Sequence, residues 1–296
     1  MSENKKPNVI RAISTDGAVA CCVIDSSAIC GYSERIHRTS PTVTTALGRL
    51  LTAASMMGCM LKGKKDALTI KIAGDGEIGS LISVASSDGN VKGYPCNAVL
   101  EKERSSKCEI NVAKAVGKGT LYVIKDLGLK EPYMGQIPLV SGEIAEDITA
   151  YYAISEQIPT VCGLGVHLHE NGMVRSAGGF LIQLLPGADE DTISKVEKII
   201  EKAKPVTTML EEKTSLEDIA KNLLNGFEIE ILDSFETAYT CDCSRQRVER
   251  ALLTTGKEQL QEIIETDGQA QLDCHFCFKK YKFTKDDLEQ LVKQMS

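Results

Sequence analysis

Near its C-terminal end the chain reads CDCSRQRVER over residues 241–250 and QLDCHFC over residues 271–277. A C-x-C pair, Cys241 and Cys243, is thus followed by a C-x-x-C pair, Cys274 and Cys277. The C-x-x-C spacing lets two sulfurs approach one ion from a tight turn. In an extended C-x-C, residues i and i+2 point to the same side and can face the same ion. Four thiolates complete a closed tetrahedral zinc site with no position left for a substrate water, a structural rather than catalytic geometry. Such a site contributes on the order of 10–16 kcal/mol to folding. Thiolates are also the species that oxidants attack. In a fully extended segment the i and i+2 Cα atoms lie roughly 6.6 Å apart, so a bridge within the C-x-C would be strained and easily reduced. Spacing alone admits a static zinc staple and a redox centre. His275, inside the C-x-x-C, is a candidate substitute ligand.

The pairs bound a module of residues 241–296, too short for a robust core and therefore in need of a staple. Helical patterns follow Cys243 and Thr284, and QLDCHFCFKKYKF reads as a hairpin with the C-x-x-C at its turn. Upstream, residues 188–240 carry 6 Lys/Arg against 13 Asp/Glu, the whole acidic excess of a chain whose net charge is −7. Residues 189–203 have an acidic first turn and one apolar face (Ile193, Val196, Ile199, Ile200, Ala203). TSLEDIAKNLLNG opens with Ser215 and Asp218 in capping-box spacing and closes on Gly226. Short helices of this kind depend on packing elsewhere, so 188–240 is expected to be an acidic helical linker that can unfold conditionally.

Residues 1–187 mix strands with helices. VIRAIS, AVACCVIDSS, ALTIKIAG, GSLISVASS and NVKGYP read as strands broken by turn signals. Ser40-Pro41 opens an amphipathic helix over 42–62, with Leu47, Leu50, Leu51, Ala54, Met57 and Leu61 at helical spacing. A second helix follows Ser141 and stops before Pro159, and a closing hairpin turns at Glu170-Asn171-Gly172. The fold class is α+β: a mixed sheet-and-helix N-terminal core domain (1–187), a helical linker (188–240) and a small C-terminal zinc-binding domain (241–296).

Composition excludes several functions. Aromatic residues are 5% with no Trp, and no region carries a basic stripe, which argues against nucleic acid as a partner. MSENKKPNVIR has no apolar secretory stretch and no run suits a membrane span, so the expectation is a cytoplasmic protein without a membrane partner. In that compartment eleven cysteines are not a disulfide framework. Cys21, Cys22, Cys30, Cys59, Cys96, Cys108 and Cys162 read as small core hydrophobes. GDGEIGS at 74–80 links two strands and reads as a hairpin turn rather than a phosphate loop, and His167 with His169 lack an evident third ligand. No G-x-S-x-G, H-E-x-x-H or Walker motif occurs, so no enzyme activity is expected.

The C-x-C…C-x-x-C tail resembles the redox-switch zinc domain of the heat shock protein 33 family. SPTVTTALGRLLTAASMMGCMLK, GDGEIGSLISVASSDGNVKGY and YMGQIPLVSGEIAEDITAYYAISEQIPT resemble that family's core segments, in the same order. The resemblance covers essentially the whole chain. It implies a redox-regulated, ATP-independent holdase, with one zinc per chain held by Cys241, Cys243, Cys274 and Cys277 in the reduced form. Oxidants would form the disulfides Cys241–Cys243 and Cys274–Cys277, release zinc and unfold module and linker. The implied partners are a second copy in an activated homodimer, unfolding client proteins and ATP-driven refolding chaperones downstream. The other readings are a constitutive zinc-stapled binding module and a thiol–disulfide oxidoreductase using CHFC; the latter motif normally sits at a strand-to-helix junction.

Overall fold

The structure, a computed structural model, describes residues 7–104 and 109–295; Cys108 lies outside the described residues. It divides into two compact units, with the boundary between Thr240 and Cys241.

In the first unit β1 (Val9–Ser14) and β2 (Val19–Asp25) form a hairpin, followed by α1 (Ser27–His37) and α2 (Pro41–Cys59). A meander comes next: β3 (Ala67–Gly74), β4 (Ser80–Ser86) and β5 (Val91–Pro95). After α3 (Val112–Val116), the hairpin β6 (Gly119–Asp126) and β7 (Tyr133–Pro138) joins that sheet. Then follow α4 (Ala145–Tyr151), extended by a π-helical turn at Tyr152–Glu156, and the hairpin β8 (Thr160–Leu168) and β9 (Val174–Leu184). The unit ends with α5 (Glu190–Ile200), α6 (Val206–Glu211), α7 (Leu216–Leu223) and β10 (Ile229–Phe235). Two five-stranded antiparallel sheets result, ordered β10-β1-β2-β9-β8 and β5-β4-β3-β6-β7. GDGEIGS makes the β3–β4 turn, and the turn after β8 holds Gly172 at φ +82.

Helix α2 touches strands of both sheets and is buried on nearly every side, 17 of its 19 residues. The amphipathic expectation fails here for a readable reason. The rest of its surface includes threonine and serine residues whose hydroxyls spend their polarity on main-chain carbonyls. Thr45 donates to the Pro41 carbonyl, Thr52 to the Gly48 carbonyl and Ser55 to the Gly89 carbonyl. Gly58 permits close approach, since a Cβ there would meet the Ser86 carbonyl at 2.6 Å. Helix α1 is not foreseen in the sequence, because its buried positions are occupied by Gly31, Ser33 and His37 as well as Ile29 and Cys30. The helix after Ser141 is held by Asp147, fully buried, whose carboxylate accepts from the backbone N–H groups of Val140, Ser141 and Ile144 at 2.7–3.1 Å.

The acidic segment packs on the first sheet. Val196, Val206, Met209, Ile219, Ala220 and Leu223 form one core with Ile10, Val19, Cys21, Val23, Phe180 and Ile182. Asp189 caps α5 and Ser215 caps α7, each side chain accepting from the backbone N–H three residues on. Residues 188–240 are not helical throughout: the last element, β10, pairs antiparallel with β1. Its Ile229-Glu230-Ile231 alternation is a strand signal that the helical periodicity upstream obscures. Beyond β10 the chain crosses to the second sheet as a strap, with Tyr239 bridged to Val91.

The second unit contains α8 (Arg245–Leu253), α9 (Lys257–Thr266), the hairpin β11 (Gln269–Asp273) and β12 (Lys280–Thr284), and α10 (Lys285–Gln294). Six buried residues form its core: Leu252, Leu260, Tyr281, Phe283, Leu288 and Leu291. So small a core calls for a covalent or metal constraint.

Candidate metal centre

The residues before α8, Cys241–Cys243, belong to no helix or strand, and Ser244, with an extended backbone, then caps the helix by accepting from the Arg247 N–H. Cys274 and Cys277 lie in the β11–β12 turn. There the Cys274 carbonyl accepts from the N–H groups of both Cys277 (3.3 Å) and Phe278 (2.7 Å). The turn is completed by a left-handed backbone at Phe278, φ +56.

These two segments bring all four sulfurs within 4.8 Å of one another. Cys241 Sγ lies 3.7 Å from Cys274 Sγ, and Cys243 Sγ lies 3.4 Å from Cys277 Sγ. A tetrahedron of thiolates at the usual zinc–sulfur distance has an edge of about 3.8 Å, so the donor set fits a tetrahedral zinc ion. Both of these approaches run between the two motifs, as expected of ligands converging on one centre. His275 is not among the clustered ligands.

One residue of the site escapes motif reading. The Tyr281 hydroxyl, on β12, donates to Cys243 Sγ at 3.1 Å. Only the alternation of KYKF, which turns Tyr281 and Phe283 inward, hints at it. Burial tends to raise the Cys243 thiol, but the Tyr281 hydrogen bond and the three neighbouring thiols outweigh it and bring Cys243 below the ordinary thiol value. Burial holds Cys241 and Cys277 above theirs. Of these three, Cys243 is the sulfur best prepared to be a thiolate.

The remaining thiols differ in kind. Cys21, Cys22, Cys30, Cys59 and Cys162 are buried, whereas Cys96 is exposed and departs from the expected core role. Burial pushes Cys21, Cys59 and Cys162 up to about 12 and Cys30 up to about 11. In the native reduced protein at neutral pH, iodoacetamide should label Cys96 fast. These five core thiols should react only on unfolding, at least ~100-fold more slowly. Peptide mapping of the alkylated protein checks this. Labelling of Cys22 or Cys59 at the rate of Cys96 would contradict the buried assignment.

His167 and His169 form no metal group among the described residues. His167 pairs instead with Glu211 on α6 at 2.8 Å, beside Arg175 and Ser176. The CHFC segment sits in a hairpin, not at the strand-to-helix junction that an oxidoreductase motif uses. No helix among the described residues is long and apolar enough to cross a membrane.

Comparison with known proteins finds matches over nearly the length of the chain. The Hsp33 protein family model matches residues 8–284. The 33 kDa chaperonin of Clostridioides difficile is 47% identical over 288 residues, covering 97% of this chain and 99% of that one. That of Lachnoclostridium phytofermentans is 46% identical over 284 residues, covering 96% and 97%. The crystal structure of the 33 kDa chaperonin (heat shock protein 33 homolog) from Thermotoga maritima superposes with a TM-score of 0.86 at 31% identity, covering 98% of this chain and 99% of that one.

Proposed function

Since this chain belongs to the Hsp33 family, a family of chaperones, we propose that it is a redox-regulated, ATP-independent holdase of the cytoplasm, and not an enzyme. The observation that carries the reading is the four-sulfur cluster standing on a module with a six-residue core. Zinc, bound by Cys241, Cys243, Cys274 and Cys277, would fix these sulfurs as thiolates and tie the C-x-C segment to the β11–β12 turn.

Hypochlorous acid or a peroxide would join Cys241 to Cys243 and Cys274 to Cys277. Each new S–S bond passes two electrons to the oxidant, which is reduced to chloride or water, and the ligand set is lost. The module then loses its staple and unfolds.

The strap ending at Thr240 leads directly into Cys241. Within the first unit that strap is held by Asn8, whose side chain bonds the Thr237 carbonyl, hydroxyl and N–H, and by Tyr239, which donates to the Gly93 carbonyl at 2.7 Å. Release of the strap and of the helices α5, α6 and α7 bares an apolar sheet face on which unfolding clients are held, in a homodimer, until ATP-driven chaperones accept them. The acidic charge of 188–240 keeps the opened chain soluble.

The test is to oxidise the zinc-loaded protein while following released zinc, map its disulfides, and assay aggregation of a heat-unfolding client. Zinc release with disulfides within each motif, together with suppressed aggregation, is the expected result. Release of zinc without protection would leave a constitutive zinc-stapled module, and Cys241–Cys274 or Cys243–Cys277 bridges would refute the pairing.

A further inference from the structure

The holdase reading leaves open how a client of arbitrary sequence is gripped. Strand β10 is the edge of its sheet and is paired only to β1. None of its seven residues is buried, and Ile231 and Leu232 are 40% and 50% exposed. By contrast, β1 is made of buried and half-buried positions and is paired with β2 on its other side from Val9 to Ile13. Among the described residues, apolar core packing reaches β10 only through its end residues, Ile229 and Phe235. Its ladder is interrupted as well. Arg11 opposes Asp233 and Ala12 opposes Ile231, so Leu232 bulges without a partner. The Arg11–Asp233 ion pair at 3.0 Å is partly open to solvent and adds little. Main-chain hydrogen bonds therefore do most of the holding, and any extended chain can supply those.

A second observation lies under the same edge. A cavity of ≈590 Å³ opens there, lined among others by Cys22, Met60, Leu61, Leu181, Leu232 and Phe235. Strand addition draws affinity from backbone pairing, and pockets beside the edge accept alternate side chains.

We propose that the edge of β1, covered by β10 in the closed chain, is a docking site for extended segments of unfolded polypeptide, which add antiparallel in place of β10. The proposal rests on the holdase reading and names the surface it uses. Once β10 leaves, the unpaired N–H and C=O groups of β1 cannot remain without partners at low cost. The incoming strand satisfies them whatever its sequence, and its apolar side chains enter the cavity.

The experiment is amide hydrogen exchange on the full-length oxidised protein, with and without reduced, carboxymethylated α-lactalbumin as a permanently unfolded client. Binding itself is measured separately by sedimentation. The expected result is that those Val9–Ser14 amides that face β10 in the closed chain exchange about tenfold or more slowly with client than without, while Ile229–Phe235 amides exchange fast in both. The peptide IEILDSF added in trans should displace client, and the same peptide N-methylated at alternate amides should not. Client bound with β1 unchanged, or with β10 still protected in place, overturns the edge proposal and leaves the holdase standing. Absence of client binding by the oxidised protein overturns both.

Discussion

Replacing Cys274 with serine should abolish tight zinc binding and unfold residues 241–296, leaving the first unit folded. The structural reason is that Cys274 contributes twice. Its sulfur is one of four within 4.8 Å, and its carbonyl closes the turn that presents Cys277. Serine keeps the turn but supplies a hard, protonated hydroxyl in place of a thiolate. A structural zinc site contributes on the order of 10–16 kcal/mol, far more than a core of six side chains leaves in reserve. Metal analysis should therefore fall from one zinc per chain to near zero. Amide resonances of α8, α9, β11, β12 and α10 should collapse to random-coil dispersion, while those of α2 and the two sheets stay put. Cys96→Ser, at an exposed thiol outside the cluster, is the control and should keep its zinc. A Cys274→Ser protein that retains stoichiometric zinc and a dispersed module would refute the view that these four sulfurs staple the fold.

How far the sequence reaches can be judged from individual elements. The β11–β12 hairpin, the β8–β9 hairpin and the turn after β3 follow from local signals, because strand alternation and turn residues act over a few positions. The cluster is legible for the same reason: each pair of ligands is held by its own short segment, and only their meeting is long-range. Tyr281 is invisible as a site residue because a tyrosine in a strand is ordinary until its hydroxyl meets Cys243 across the module. Helix α2 misleads, since threonine and serine on a helix face signal solvent unless their hydroxyls turn back on carbonyls, as those of Thr45 and Thr52 do. Strand β10 and the strap after it depend on partners far away in sequence, 229 residues for Asn8 with Thr237 and 146 for Gly93 with Tyr239. No local pattern encodes such a pairing.

The second large effect is expected at Ile219, fully buried on α7 in the core shared with Val19, Cys21, Val23, Phe180 and Ile182. Helix α7 is eight residues long, too short to persist in water alone, so its helicity is borrowed from this docking. Buried aliphatic side chains contribute ~1.5–3 kcal/mol each, and Ile219 and Leu223 are its main anchors. An unpaired carboxylate at Ile219 would cost on the order of 3–5 kcal/mol, comparable to everything that holds the helix down. The Ile219→Asp protein should therefore release α6 and α7 while its zinc site stays intact, uncovering the sheet face without any oxidant. If that face serves clients, the reduced, zinc-loaded variant should suppress aggregation nearly as well as the oxidised parent. Ile219→Val, at ~1 kcal/mol, should remain under oxidant control. Amide exchange decides whether the helix has undocked, and the aggregation assay decides whether undocking is enough. A variant with α7 exchanging freely, zinc retained and no protection of the client would show that the covered face is not where activity resides.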